Sequence, residues 1–64
     1  MPYIELKVLR CRNKLSQGDI AKKLDITTAS YNKKENGKQA FSLLEAKKIA
    51  AIFNLSIEEI FFAK

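Results

Sequence analysis

The sequence contains no histidine and only one cysteine, Cys11. Without histidine the usual zinc-binding spacings cannot be built, and one cysteine cannot form an internal disulfide. Histidine is also the commonest general acid or base, and the seven carboxylates are scattered among basic residues instead of being paired in an apolar setting. These absences argue against an enzyme and predict no metal site, no cofactor and no small-molecule ligand, in a protein suited to a reducing cytosol.

Glycine, proline and long apolar runs are also scarce. Two glycines and one proline, with 47% hydrophobic residues, exclude a disordered or turn-rich chain. No apolar run approaches the roughly 20 residues that a membrane-spanning helix needs, and the N-terminus lacks the pattern of a signal peptide. The sequence therefore predicts one small all-α domain over residues 1–64, with no membrane contact.

Positive charge is concentrated in one part of the chain. Residues 7–38 hold nine lysines and arginines against three acidic residues, whereas residues 39–64 hold three of each. A basic part beside a neutral part is typical of a protein that binds a polyanion with one surface and a partner with another. Ordinary solvated lysines are the alternative interpretation of this charge.

Apolar spacing and capping residues predict five helices. The expected spans are about residues 4–13, 17–24, 28–35, 43–53 and 57–62. The serines at positions 16, 42 and 56 are each followed three residues later by an acidic residue, which is the spacing of a capping box. Asn36 and Gly37 are expected to supply left-handed residues that end the third helix. In the fourth helix the predicted core stripe consists of Leu43, Ala46, Ile49, Ala50 and Phe53.

The break between the second and third helices is only about three residues long. Helices joined by so short a connection at a steep angle form a helix-turn-helix. The stretch LSQGDIAKKLDITTASYNKKENGK, residues 15–38, resembles the DNA-binding motif of the phage repressor and Cro family, also called the XRE-type helix-turn-helix family. The stretch SLLEAKKIAAIFNLSIEEIF, residues 42–61, resembles the family's fourth and fifth helices. The resemblance implies a compact five-helix, lambda-repressor-like domain with its helix-turn-helix at about residues 17–36.

The resemblance also implies how double-stranded DNA would be contacted. The third helix would enter the major groove and turn four residues toward base edges: Thr28, Ala29, Asn32 and Lys33. Asn32 suits adenine, Lys33 suits guanine, and the methyl groups of Thr28 and Ala29 suit thymine. Phosphate contacts are implied for Ser16, Gln17, Asn36 and Lys38. The alternatives are a merely solvated helix surface and, for Asn36, a purely local turn.

Three further positions take their interpretation from the family. Arg10 and Glu35 occupy positions that form an ion pair in some relatives. Asp25 stands where glycine is common in the turn, so a slightly altered turn is expected. Lys34 stands where a large apolar residue is usual, so its alkyl stem is expected to pack while its amine reaches solvent or phosphate.

The C-terminal segment, about residues 55–64, is predicted to mediate dimerisation. Its apolar side chains are too many for one side of a short helix to bury, and they are Ile57, Ile60, Phe61 and Phe62. A twofold dimer would place two recognition helices about 34 Å apart, matching successive major grooves. The alternative is that all four residues simply complete the core.

The sequence and the resemblance together predict a homodimeric, sequence-specific transcriptional regulator, a repressor, that binds operator DNA. Such a protein would act in the cytoplasm, be encoded by a bacterium or a phage, and associate with the nucleoid. The alternative function is a protein-interaction module of the same fold, such as an antitoxin or an anti-repressor.

Overall fold

A computed structural model of the chain describes residues 3–62, which form five α-helices and no strand. The helices are α1 Ile4–Arg12, α2 Gln17–Leu24, α3 Thr28–Glu35, α4 Leu43–Phe53 and α5 Ile57–Phe61. The all-α, five-helix prediction is confirmed, with helix boundaries that agree to within one residue. Residues 1–2 and 63–64, which include the end of the predicted dimerisation segment, lie outside the described residues.

Side-chain caps define where α2 to α5 begin. Ser16 Oγ accepts from the Asp19 N–H at 3.0 Å, and Asp19 Oδ2 accepts from the Ser16 N–H at 2.8 Å. Equivalent capping boxes start α4 at Ser42 and α5 at Ser56, and Thr27 caps α3. Because each box satisfies backbone donors that a helix start would leave free, these sequence signals specify the helix starts locally.

The core takes side chains from all five helices. Its buried members are Leu6, Ile20, Ala21, Leu24, Tyr31, Ile49, Ala50 and Ile60. Helix α2 packs against α3 and α4, while α5 packs against α1 and α4. The small side chain of Ala21 is buried in this cluster beside Leu24 and Tyr31, which allows α2 and α3 to approach closely. The core therefore holds α3 through α2, and this positions the candidate site.

Two predictions about buried residues were wrong. Leu43, expected in the core stripe, is 67% exposed, because side chains on a helix point toward its N-terminus and this first residue of α4 extends beyond the core. Ile60, expected in a dimer interface, is only 2% exposed and belongs to the core. It lies on the face of α5 that packs against α1 and α4, so the protein's own helices already cover it.

The end of α3 also differs from its prediction. Gly37 has a φ of 80°, but Asn36 has a φ of −86°, so only the glycine adopts the left-handed conformation. Asn36 keeps a near-helical conformation because both its backbone N–H and its side chain donate to the carbonyl of Asn32. The left-handed conformation that ends the helix therefore occurs at Gly37 alone and not at both residues of the Asn-Gly pair.

The turn between α2 and α3 depends on Asp25. This residue adopts φ 61° and ψ 42°, the left-handed conformation that glycine favours. The N–H of Asp25 donates to the Lys22 carbonyl at 3.2 Å, and the N–H of Ile26 donates to the Ala21 carbonyl at 3.0 Å. The turn therefore has the backbone that a glycine would give, and the expected alteration is absent.

We predict that Asp25→Gly will be more stable than Asp25→Ala by about 1 kcal/mol, because alanine has a Cβ penalty in the left-handed region and no polar side chain to offset it. Urea unfolding of the two variants and the wild type would measure the difference. Equal stability of the glycine and alanine variants would show that this backbone conformation is not maintained in solution.

Candidate nucleic-acid interface

Helix α3 has one buried face and one exposed face. Tyr31 and Glu35, four residues apart, are both fully buried. The four residues predicted to contact bases are all exposed: Ala29, Asn32 and Lys33 turn away from the buried pair, and Thr28 is exposed as the first residue of the helix. The structure thus groups the predicted base-reading side chains on a single polar surface that the core does not use.

The buried face of α3 carries a carboxylate, that of Glu35. The side chain of Glu35 is 0% exposed, and its Oε2 accepts from Arg10 Nε at 2.9 Å and from the Tyr31 hydroxyl at 2.7 Å. Its Oε1 accepts from Arg10 Nη2 at 3.2 Å and from Gln17 Nε2 at 3.1 Å. We call Arg10, Gln17, Tyr31 and Glu35 the Glu35 cluster. It joins α1, α2 and α3, and it contains the Arg10–Glu35 ion pair that the family resemblance implies.

The Glu35 cluster retains its charges. Burial raises the pKa of the Glu35 carboxyl, but the hydrogen bonds from Arg10, Tyr31 and Gln17 outweigh burial and leave that pKa below its usual value. The hydrogen bond to Glu35 raises the pKa of Arg10. The pKa of Tyr31 is also raised, mainly because its hydroxyl is buried and secondly because it donates to the Glu35 carboxylate. At neutral pH the cluster therefore consists of a carboxylate, a guanidinium and a neutral phenol.

The predicted phosphate contacts lie at both ends of α3. Near its start, a Cβ added to Gly18 would be 3.4 Å from Thr28 Oγ1 and 3.6 Å from Ser16 Oγ, so the start of α2 lies beside the start of α3. At its end, Lys38 is exposed and its N–H donates to the Lys33 carbonyl at 2.8 Å. A phosphate backbone on either side of a groove could thus meet both ends of the helix.

Three of the four predicted phosphate residues also have structural roles. The hydroxyl and N–H of Ser16 are used in the capping box, and the half-buried Asn36 donates from Nδ2 to the Asn32 carbonyl at 2.8 Å. Gln17 is half-buried, and its Oε1 accepts from Asn32 Nδ2 at 3.1 Å. Gln17 therefore touches both the buried carboxylate and a predicted base-contact residue.

The prediction for the amine of Lys34 was wrong. Its Nζ donates to both carboxylate oxygens of Glu45, at 2.7 and 2.8 Å, instead of reaching solvent or phosphate. Burial raises the pKa of Glu45, yet the bonds from Lys34 and the Ser42 N–H outweigh it and lower that pKa. The end of α3 lies close enough to the start of α4 for this ion pair to join them.

Sequence reasoning missed the polar role of Tyr31 and the inner contact of Gln17. The spacing of Tyr31 and Glu35 placed both on one helix face, and a tyrosine four residues before a glutamate was a usable signal. No local pattern pointed to the bond between Gln17 and Glu35, because these residues are far apart in sequence and meet only when α2 packs on α3.

A second surface lies around the C-terminal helix. An apolar groove of about 220 Å³ is lined by Tyr3, Phe41, Ser42, Leu43, Ala46, Ile57, Phe61 and Phe62. The rings of Tyr3, Phe41 and Phe61 lie with centroids 5.2 to 5.6 Å apart. Phe62 is 71% exposed at its border. Of the four predicted dimer residues, three line the apolar groove and Ile60 lies in the core.

Neither a metal site nor a membrane-spanning helix is present in residues 3–62. These residues contain no cluster of three or more side chains that could hold a metal ion. In the same part of the chain no helix is both long enough and apolar enough to cross a membrane.

Comparison with known proteins agrees with this geometry. A helix-turn-helix family model matches residues 6–60. An uncharacterized HTH-type transcriptional regulator of Methanocaldococcus jannaschii is 42% identical over 57 residues, which cover 89% of this chain and 86% of the relative. The chain belongs to the helix-turn-helix family, as the resemblance predicted, and it is a DNA-binding regulator and not an enzyme.

We predict that Glu35→Ala will lower the free energy of unfolding by about 3 kcal/mol, because it removes the charge that the largely buried Arg10 requires. In a domain of this size the melting temperature should fall by more than about 10 °C. The exposed Glu58 offers a matched control, and Glu58→Ala should change stability by less than about 1 kcal/mol.

The wild type and Glu35→Ala can also be compared across pH. Since the folded pKa of Glu35 is below the unfolded value of about 4.3, its ionised form stabilises the fold above that pH and the benefit is lost as pH falls through the folded pKa. Glu35→Ala should therefore lose less stability than the wild type between pH 6 and pH 3. Parallel acid profiles would contradict a stabilising role for this carboxylate.

Proposed function

We propose that this protein is a sequence-specific transcriptional repressor that binds operator DNA as a homodimer, with α3 in the major groove. The observation that carries the proposal is the exposed polar face of α3, which the Glu35 cluster holds from its buried side. Membership of the helix-turn-helix family supports α3 as the recognition helix, since the second helix of this motif enters the major groove.

Base recognition would combine hydrogen bonds with methyl contacts. Asn32 would bind adenine, Lys33 would donate to guanine, and Thr28 and Ala29 would pack against thymine methyl groups. A good bidentate pair contributes ~1–3 kcal/mol of discrimination against a wrong base. Because Thr28 and Ala29 have short side chains that offer few hydrogen bonds to bases, part of the specificity would come from DNA shape.

Phosphate contacts would fix the orientation of α3 in the groove. Ser16 and Gln17 lie at the N-terminus of α2, where backbone N–H groups and the helix dipole favour an anion. Asn36 and Lys38 lie beyond the other end of α3. The excess of lysine and arginine in residues 7–38 supplies the long-range attraction to DNA.

The apolar groove is our candidate for the dimer interface. Ile57, Phe61 and Phe62, three of the residues expected at a dimer interface, line it, and Leu43 adds an exposed apolar side chain. A twofold axis there would present two copies of α3 to one side of DNA, and operator occupancy would block RNA polymerase.

We further propose that residues 1–64 act as one domain and that the protein works in the cytoplasm, where its DNA is found.

We predict that Lys38→Ala will reduce the salt dependence of DNA binding by about one unit of slope in a plot of log affinity against log salt concentration, because one phosphate contact is lost. Lys47→Ala is the matched control, since Lys47 is also exposed but lies on α4. Fluorescence anisotropy titrations at several salt concentrations would measure both slopes. Equal slopes for the two variants would remove Lys38 from the DNA surface.

We predict that Phe62→Asp will convert the dimer to a monomer at micromolar concentration, because a carboxylate in an apolar interface must be desolvated. Leu44→Asp is the control, since Leu44 is 63% exposed next to the apolar groove without lining it. Sedimentation velocity would report both states. A wild-type monomer that still binds DNA would oppose the dimer, and it would favour a different protein as the occupant of the groove.

A further inference from the structure

A line of side chains connects the protein interior to the exposed face of α3. Glu35 Oε1 accepts from Gln17 Nε2 at 3.1 Å, and Gln17 Oε1 accepts from Asn32 Nδ2 at 3.1 Å. The first of these residues is fully buried, the second is half-buried, and the third is exposed. Within residues 3–62, Gln17 is therefore the one side chain that hydrogen-bonds both to the buried carboxylate and to a candidate base-reading amide.

The chemistry of each partner determines which way these amides point. Glu35 is ionised, so its oxygens only accept hydrogen bonds, and Gln17 must turn its NH₂ group toward them. The carbonyl oxygen of Gln17 then faces Asn32, so Asn32 must donate to it from its own NH₂ group. Within residues 3–62 no hydrogen bond engages Oδ1 of Asn32. The exposed amide thus has a free acceptor and one remaining N–H.

We propose that Gln17 is a positioning residue that fixes the amide orientation of Asn32 and so makes the domain prefer adenine to guanine at one operator position. Adenine offers its N6 amino group to Oδ1 and its N7 to the remaining N–H. Guanine offers two acceptors, O6 and N7, and so has no hydrogen for Oδ1. This inference rests on the proposed function, and it gives Gln17 a role beyond a phosphate contact.

Reversing the Asn32 amide would be costly in this arrangement. A reversed amide would place Oδ1 against Oε1 of Gln17, bringing two acceptors together and losing a hydrogen bond. Gln17 cannot reverse in turn, because Glu35 has no proton to donate to its oxygen. Within residues 3–62 no hydrogen bond fixes the side chain of the neighbouring Lys33. Asn32 is therefore the residue of the two whose orientation toward a base is better defined.

The test is a selection of bound sequences from random double-stranded DNA at one stated salt concentration, using the full chain and three variants. Asn32→Ala identifies the operator position that Asn32 reads. Gln17→Met keeps the side-chain length but removes both hydrogen bonds. Gln17→Lys still donates to Glu35 but can only donate to Asn32, so the amide of Asn32 must reverse and present its NH₂ group outward.

We expect the wild type to select adenine at the position that Asn32→Ala identifies. Gln17→Met should reduce the preference for adenine over guanine there by about fivefold, which corresponds to one neutral hydrogen bond, and leave other positions unchanged. Gln17→Lys should move the preference toward guanine. Thermal melting verifies that each variant is folded, and Gln17→Lys remains informative if Gln17→Met is unfolded because it keeps a donor to Glu35.

Two results would overturn the inference in different ways. If Gln17→Met weakens binding equally for all sequences and Gln17→Lys keeps adenine, Gln17 contacts phosphate only and the positioning role is wrong, while the proposed function stands. If the wild type selects no sequence at all, the proposed function fails and the inference fails with it.

Discussion

The buried carboxylate of Glu35 is the constraint on which the rest of the structure depends. A charge with no solvent exposure is tolerated only when donors surround it, and here Arg10, Gln17 and Tyr31 each supply at least one. Those donors come from three helices, so satisfying one side chain brings α1, α2 and α3 together. The core is small and buries few large residues, so apolar contacts alone would not define how α1, α2 and α3 are arranged. The Glu35 cluster specifies that arrangement.

The sequence predicted the elements well because their signals are local. Capping boxes, apolar spacing and a three-residue break are read within one turn of helix, and the structure has all of them at the expected positions. Predictions failed where the outcome depends on what lies across the fold. Whether Leu43 or Ile60 is covered depends on neighbouring helices, and the partner of Lys34 is eleven residues away on α4.

The exposure of the candidate site residues could be predicted from the sequence, but the hydrogen bonds among them could not. The family pattern named the exposed face of α3, and the structure gathers those four side chains on one surface. It did not indicate that Gln17 bonds inward to Glu35 and outward to Asn32, since that requires the distance between two packed helices. The residues that line the apolar groove are different from those on this surface, so the proposed DNA contacts and the proposed dimer contacts involve separate side chains.

The ion pair between Lys34 and Glu45 has an evolutionary consequence. At position 34 the family resemblance implies an apolar side chain, whereas this chain has a lysine paired with Glu45, and both charges are largely shielded from water, with Glu45 also accepting from the Ser42 N–H. Replacing either residue alone would strand the other charge. Homologous chains should therefore exchange these two positions as a unit, and a lineage that replaced the pair by apolar residues one at a time would have to pass through a destabilised intermediate.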